Sequence, residues 1–128
     1  MSLQQEREYL ARLEASSPVV GPVRLWSQWL ELQIETIDGE RASIESGGPI
    51  RFLKDDKEDR FQAPLDDLEA AIPARIFRCE GETVTRFELS ETFLRIELTS
   101  SEITCFPSVS PETLSFGPAG GGARYTPW

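Results

Sequence analysis

The chain has 128 residues, 39% hydrophobic and 27% charged, which is typical of a globular domain with one continuous core and excludes a disordered chain. Its net charge of -9, from 22 acidic and 13 basic residues, disfavours binding to nucleic acid or anionic lipid, because both are negatively charged. The sequence lacks histidine, which excludes Ser-His and Cys-His nucleophile pairs and the usual zinc sites.

The first predicted element is a short amphipathic helix over residues 3–15. Leu3, Leu10 and Leu13 lie close to helical spacing, and charged residues occupy the other positions. This N-terminal segment has no apolar leader, and no run of 18 apolar residues occurs in the sequence. We therefore expect a cytoplasmic protein with no membrane contact.

Strands are predicted next, over residues 19–25, 29–36 and 41–45. The second reads WLELQIET, in which Leu30, Leu32 and Ile34 alternate with polar residues, as in a strand with one buried face. Asp38-Gly39 predicts a type I′ hairpin turn before the third strand. Ile50 and Phe52 then form another short apolar pair.

A charge run and a linking helix follow. Residues 54–60 read KDDKEDR, which we interpret as a solvated loop. Residues 65–73 predict a short helix, because Leu65, Leu68 and Ile72 fall at i, i+3 and i+7 and Pro73 stops it.

The second half repeats the first at an offset of 64 residues. Leu94, Ile96 and Leu98 of FLRIELTS match Leu30, Leu32 and Ile34, and Leu114 and Phe116 match Ile50 and Phe52 at the same offset. The other strands of this half are predicted at 75–79, 83–89 and 102–106. The pattern indicates an internal duplication: a mainly β (α+β) fold of two tandem antiparallel β-meander repeats, about 20–62 and 84–116, packed as a sandwich or half-open barrel.

We expect a single domain over residues 1–128. Its parts are an N-terminal helix (1–17), a first repeat (18–64), the linking helix (65–73), a second repeat (74–118) and a glycine-rich, flexible tail (119–128).

No pattern in the sequence predicts catalysis, a metal site or a cofactor. Cys79 and Cys105 belong to no CxxC motif, so we expect buried free thiols. The paired carboxylates of the charge run lie among lysines and arginines, whereas a catalytic carboxyl needs a setting that shifts its pKa. We therefore predict a non-enzyme.

A partner-binding surface is predicted instead, from the acidic segments and one tryptophan. Trp26 lies at a turn where the second repeat has only Ser90, so the fold does not require it, and buried aromatic anchors dominate interface energies. Covering one end of the sheets is the alternative role for Trp26. The candidate surface comprises Trp26, Asp55, Asp56, Glu58, Asp59, Asp66, Asp67 and Glu69.

The layout resembles a group of small, mostly uncharacterised bacterial proteins. Their two β-meander halves are followed by a proline, an acidic residue within a strand and a Gly-Pro-x-Gly ending, which correspond here to Pro107, Glu112 and residues 117–120. The resemblance covers roughly residues 18–121, so the N-terminal helix is extra, and Leu114 stands where a tryptophan is usual. Members of the group have been proposed as immunity proteins that neutralise a toxin delivered between competing bacteria.

The leading hypothesis is accordingly an acidic immunity protein, monomeric or weakly dimeric, that binds and occludes a basic toxin. The alternative is a small acidic secretion chaperone or adaptor, which would dimerise through the 3–13 helix. A third interpretation, a small-ligand-binding β domain, would require a sizeable apolar cavity between the halves.

Overall fold

The computed structural model describes residues 3–25, 30–63, 74–106 and 114–118. Within these ranges the chain forms one α-helix, one short 3-10 helix and nine β-strands. In chain order they are α1 (Leu3–Ala15), β1 (Val19–Leu25), β2 (Leu30–Glu35), β3 (Arg41–Ser46), β4 (Gly48–Lys54), β5 (Lys57–Ala63), the 3-10 helix (Ala74–Cys79), β6 (Val84–Leu89), β7 (Leu94–Leu98), β8 (Ser101–Cys105) and β9 (Leu114–Pro118).

The strands form two antiparallel sheets. Sheet A has the order β1-β2-β3-β9, and sheet B has the order β5-β4-β8-β7-β6. The predicted fold class, a mainly β sandwich with an N-terminal helix, is confirmed, and the sheets do not close into a barrel. The described part of the chain contains no helix with the length and apolar character of a membrane span.

The period-two pattern of the sequence places the core between the sheets. Leu30, Leu32 and Ile34 are at most 1% exposed on β2. We call two residues mates when they are 64 positions apart in the sequence. Leu94 and Ile96, the mates of Leu30 and Leu32, are 0% exposed on β7. These side chains belong to one hydrophobic cluster that both sheets share.

The pairing register follows the 64-residue repeat. Val23 pairs with Leu32 in the first half, and their mates Phe87 and Ile96 pair in the second. An isolated bridge joins Val19 to its own mate, Thr83. Two further hydrogen bonds join the halves here, from Val20 N–H to Glu82 O (2.9 Å) and from Val84 N–H to Pro18 O (2.7 Å). The second bond connects the mates of the residues in the first. The halves are therefore related by an approximate two-fold axis near Val19 and Thr83.

The repeats exchange their fourth strands. Strand β4 leaves the first half and pairs with β8, so that Phe52 lies opposite Ile103. Strand β9 of the second half pairs with β3, which places Phe116 opposite Ile44. Each sheet thus contains strands from both halves, a crossing that the prediction of two tandem meanders did not include.

The segment 75–79, predicted as a strand, lies instead in the 3-10 helix. Ile76 and Cys79 are both 0% exposed while Phe77 between them is 38% exposed, which is a spacing of three rather than two. The strand prediction was wrong because a segment of five residues is too short to display its period clearly.

The N-terminal helix is not an addition to the repeat. Helix α1 packs on β6, and the 3-10 helix contacts β1, so each precedes one repeat and covers the other. The Glu14 carboxylate accepts a hydrogen bond from Phe87 N–H (2.7 Å), as the Glu80 carboxylate does from Val23 N–H (2.9 Å). Because β1 and β6 are edge strands, both glutamates satisfy edge amides that would otherwise lack a partner in the sheet.

Both predictions for the hairpins were wrong in detail. In the β2–β3 connection, residues 36–40, only Gly39 takes a positive φ (91°), so the turn is not type I′, which needs a positive φ at both central residues. The type I′ geometry occurs at Asp55 and Asp56, whose φ values are 54° and 61°. The charge run is therefore the β4–β5 hairpin, with β5 as a charged edge strand, and not a solvated loop.

Candidate functional site

The structure brings four of the predicted partner-binding residues together on the β4–β5 hairpin. Asp55 and Asp56 form its turn, and Glu58 and Asp59 lie on β5. The other four predictions, Trp26, Asp66, Asp67 and Glu69, fall outside the described residues.

Glu58 is held within the protein. Its carboxylate forms ion pairs with Arg51 across the hairpin and with Arg60 on its own strand, the latter at 3.1 Å. The hydrogen bond from Arg60 is the main cause that lowers the pKa of Glu58. A partner would have to compete with two guanidinium groups for this carboxylate, so Glu58 contributes little to an open acidic surface.

Asp59 links the hairpin to the 3-10 helix. Its carboxylate accepts a hydrogen bond from Arg75 at 3.1 Å, and the same guanidinium donates to the carbonyl oxygen of Lys54. Arg75 also lies 6.0 Å from the centroid of the Phe52 ring. Asp59 therefore positions the base of the hairpin and is not available to a partner.

A second network fixes the hairpin against the β7–β8 turn. The Glu82 carboxylate accepts hydrogen bonds from the amide of Ser100 (2.6 Å) and from the hydroxyls of Ser100 (2.9 Å) and Ser101 (2.7 Å). Lys54 Nζ lies 3.3 Å from the same carboxylate, and these two side chains are only 15% and 10% exposed. Burial raises the pKa of Glu82, but the donors from Ser101, Ser100 and Lys54 outweigh it and leave the pKa below its ordinary value.

Asp55 and Asp56 remain as the open part of the predicted surface. Both are exposed, and neither forms an ion pair with another residue in the described ranges. The two carboxylates are presented on a two-residue turn whose base is tied down by Lys54 and Arg75. The arrangement is a small acidic projection, which the exposed Lys57 follows at the start of β5.

The outer face of sheet B is electrically balanced beside this projection. Arg95 contacts Glu88 at 2.7 Å and Glu102 at 3.1 Å, and both Arg51 and Arg60 contact Glu58, so three arginines face three glutamates. Thr104, in register with Arg51 on one side and Arg95 on the other, is only 1% exposed. This face therefore contributes no excess acid, so its charge does not add to that of the hairpin tip.

A second feature, which no sequence pattern predicted, is a cavity of about 490 Å³ between α1 and the β2–β3 hairpin. It is lined by Tyr9, Arg12, Leu13, Ser16, Thr36, Asp38, Glu40, Arg41 and Ala42. Beside it, Ile37 is 92% exposed at the hairpin tip. The lining comes from two elements that are distant in sequence, and only the packing of the helix brings them together.

The two cysteines are buried free thiols, as predicted. Burial is the main cause that raises the pKa of Cys79 to about 12 and that of Cys105 to about 11, so both thiols stay protonated and unreactive at neutral pH. In the parts of the chain that the structure describes, no three His, Cys, Asp or Glu side chains cluster in a way that could hold a metal ion.

Comparison with known proteins gives no family for the chain: no protein-family model, curated protein or solved structure matches it.

Proposed function

We propose that this protein is an immunity protein that binds a basic toxin and occludes its functional surface. The observation that supports it best is the pair Asp55 and Asp56, exposed and without an ion pair in the described residues, on a turn with positive φ at both positions. Such a turn presents two carboxylates in a fixed geometry to lysine or arginine side chains around a toxin's active site.

The surroundings of the turn favour binding in a second way. Arg75 and the Lys54–Glu82 pair hold the base of the hairpin, so little conformational entropy is lost when a partner engages the tip. The net charge of -9 adds long-range attraction for a basic protein and raises the rate of encounter.

The proposal is for binding without catalysis. The chain has no histidine to act as a base near neutral pH. The acids of the β4–β5 hairpin are either paired with arginines, as in Glu58 and Asp59, or exposed to solvent, as in Asp55 and Asp56. General acid catalysis by a carboxyl uses an apolar setting, which neither environment provides.

The secretion-chaperone alternative has less support. It relies on α1 as a dimerisation helix with an open apolar face. Leu10 and Leu13 are 2% and 7% exposed, and Leu3 packs against the same core, so this face is already covered within the protein.

The test begins with capture of partners by the tagged protein from its host lysate, followed by expression of each basic partner alone in a growth assay. We expect one partner to be toxic alone and harmless when this protein is co-expressed. Recovery of secretion components or of an effector's N-terminal segment, without a toxic partner, would replace the immunity proposal by the chaperone one.

The interface is then tested by charge reversal with a matched control. The double variant Asp55→Lys, Asp56→Lys should lower the association rate at low salt by about tenfold or more, and with it the protection. The control Glu8→Lys, Glu91→Lys makes the same change of charge at exposed positions on α1 and in the β6–β7 turn. Equal association rates for the two double variants would move the interface away from the hairpin.

A further inference from the structure

Two charged side chains fill the space beside the β7–β8 turn, Glu82 from the second repeat and Lys54 from β4 of the first. The Glu82 carboxylate bonds to Ser100 and Ser101, and the Lys54 ammonium lies 3.3 Å from that carboxylate and 3.0 Å from Ser100 Oγ. A carboxylate and an ammonium group are thus built into this end of the protein.

The β2–β3 end of the molecule has neither group at the equivalent place. The mate of Glu82 at the 64-residue offset is Pro18, and the mate of Lys54 is Pro118. The register confirms the second equivalence, because Pro118 lies opposite Ala42 as Lys54 lies opposite Ser101. Proline carries no charge, and a cavity of about 490 Å³ lies beside the β2–β3 turn.

The cavity presents charges of both signs. Arg12 and Arg41 supply guanidinium groups, and Asp38 and Glu40 supply carboxylates. Arg12 lies 5.6 Å from the ring centroid of Tyr9 and forms no ion pair with another described residue. The nearest carboxylate oxygen to Arg41 is that of Glu35, at 3.7 Å between largely exposed side chains, which is a weak pair.

The two carboxylates differ in availability. The Thr36 hydroxyl donates to Asp38, and this bond is the main cause that lowers the pKa of Asp38. Glu40 uses its backbone amide and carbonyl in the turn, while its carboxylate has no cationic partner in the described ranges. Glu40 is therefore the carboxylate that is open to an ammonium group.

We propose that this cavity binds a small zwitterion of dipeptide size, which supplies from solution the pair of charges that Glu82 and Lys54 supply beside the β7–β8 turn. The ligand carboxylate meets Arg12 and Arg41, and its ammonium group meets Glu40. Leu13 and Ala42 provide the apolar part of the lining. A volume of about 490 Å³ lies within the range of small-ligand sites.

The balance of charge in the lining selects this ligand class. A simple anion would be opposed by Asp38 and Glu40 as well as by the net charge of -9, and a simple cation would meet Arg12 and Arg41. A ligand with both charges satisfies both sides. This proposal does not depend on the immunity function, since its residues lie on α1 and the β2–β3 hairpin.

The test is an NMR titration of the full-length protein with glycylphenylalanine and two blocked forms, N-acetyl-glycylphenylalanine and glycylphenylalanine amide. We expect saturable shifts of the Thr36 and Ala42 amides with the free dipeptide. Loss of either ligand charge should weaken binding by about tenfold, which corresponds to one ion-pair interaction of about 1.4 kcal/mol.

Variants assign the two contacts. Two affinity ratios are compared, that of the free dipeptide to its amide and that of the free dipeptide to its N-acetyl form. Arg12→Gln should reduce the first ratio, and Glu40→Gln should reduce the second. Arg86→Gln, at an exposed position on β6, is the control and should change neither ratio. The proposal is overturned if no saturable shift occurs up to about 50 mM, a limit well above the millimolar affinities of weak ligands. It is equally overturned if the three ligands bind alike or if Arg12→Gln leaves both ratios unchanged.

Discussion

The β2–β3 and β7–β8 hairpins occupy equivalent places in the two repeats, yet one end is open and the other is closed. At the β7–β8 end, Glu82 and Lys54 bridge the turn and tie it to the β4–β5 hairpin. At the β2–β3 end, prolines stand at both matching positions and a cavity lies beside the turn. The two halves thus share one arrangement of strands, the strand frame, and differ in the turns at its ends.

One cross-strand ion pair of the strand frame occurs in both halves with its charges reversed. Arg24 lies 3.9 Å from Glu31 across β1 and β2, and the mates of these residues, Glu88 and Arg95, form an ion pair at 2.7 Å across β6 and β7. The two pairs occupy matching positions with the charges reversed. Cross-strand complementarity, rather than the identity of either residue, is what both halves retain.

The largest expected effect concerns the frame, where the two halves should behave alike. Leu32 and Ile96 are mates, 1% and 0% exposed, so Leu32→Ala and Ile96→Ala should each lower the free energy of unfolding by about 2–5 kcal/mol. Urea unfolding followed by far-UV circular dichroism should show a single transition for each variant. Two separate transitions, or loss of only one half's signal, would mean that the repeats fold independently.

A smaller effect distinguishes the closed end from the open one. Glu82→Ala leaves Lys54 with little exposure and no carboxylate, which should lower the free energy of unfolding by about 3 kcal/mol. The exposed acid Glu40, at the open end, is the comparison, and Glu40→Ala should change stability by less than about 0.5 kcal/mol. Similar losses in the two variants would remove the distinction between the ends.

The pH dependence of stability sharpens the same distinction. The pKa of Glu82 is lower in the folded protein than its ordinary value of 4.5, so its stabilising contribution is present above that pH and is lost as the pH falls through the folded pKa. Urea midpoints measured from pH 6 to pH 3 should therefore fall less steeply below pH 4.5 in Glu82→Gln than in the wild type. Parallel curves would show that Glu82 does not contribute to the acid sensitivity.

The smallest effect tests whether α1 and the 3-10 helix are counterparts. Glu14 and Glu80 each accept a hydrogen bond from one edge amide, at 2.7 Å and 2.9 Å. Glu14→Ala and Glu80→Ala should each cost about 1 kcal/mol and should speed hydrogen exchange at Phe87 and Val23 respectively. A loss of protection in only one of the two would restrict the edge-covering role to that segment.

The regular strands were predictable because burial on one face imposes a period of two. The 64-residue offset followed from this pattern, and both sheets keep it in register. The relation between α1 and the 3-10 helix was not predictable, because Leu10, Leu13 and Glu14 match Ile76, Cys79 and Glu80 at an offset of 66 rather than 64. A two-residue shift before the strand is enough to hide the equivalence.

The candidate site was less predictable than the frame. Charge alone identified residues 54–60, but the sequence does not show that Glu58 and Asp59 meet arginines whereas Asp55 and Asp56 do not. Those pairs depend on the strand register and on Arg75, which reaches the hairpin from the 3-10 helix. Tertiary contacts of this kind decide which acids of a charge run remain open.

The exchange of β4 and β9 between the halves bears on how the protein folds and how it arose. Neither repeat can complete its own sheet, so the pairing of β3 with β9 must close a long stretch of chain before it contributes stability, which favours slow folding. A single-repeat ancestor would have met the same need by donating its fourth strand to a second copy. The strand order of the present chain is that of a symmetric, strand-swapped homodimer whose two copies are joined in one polypeptide.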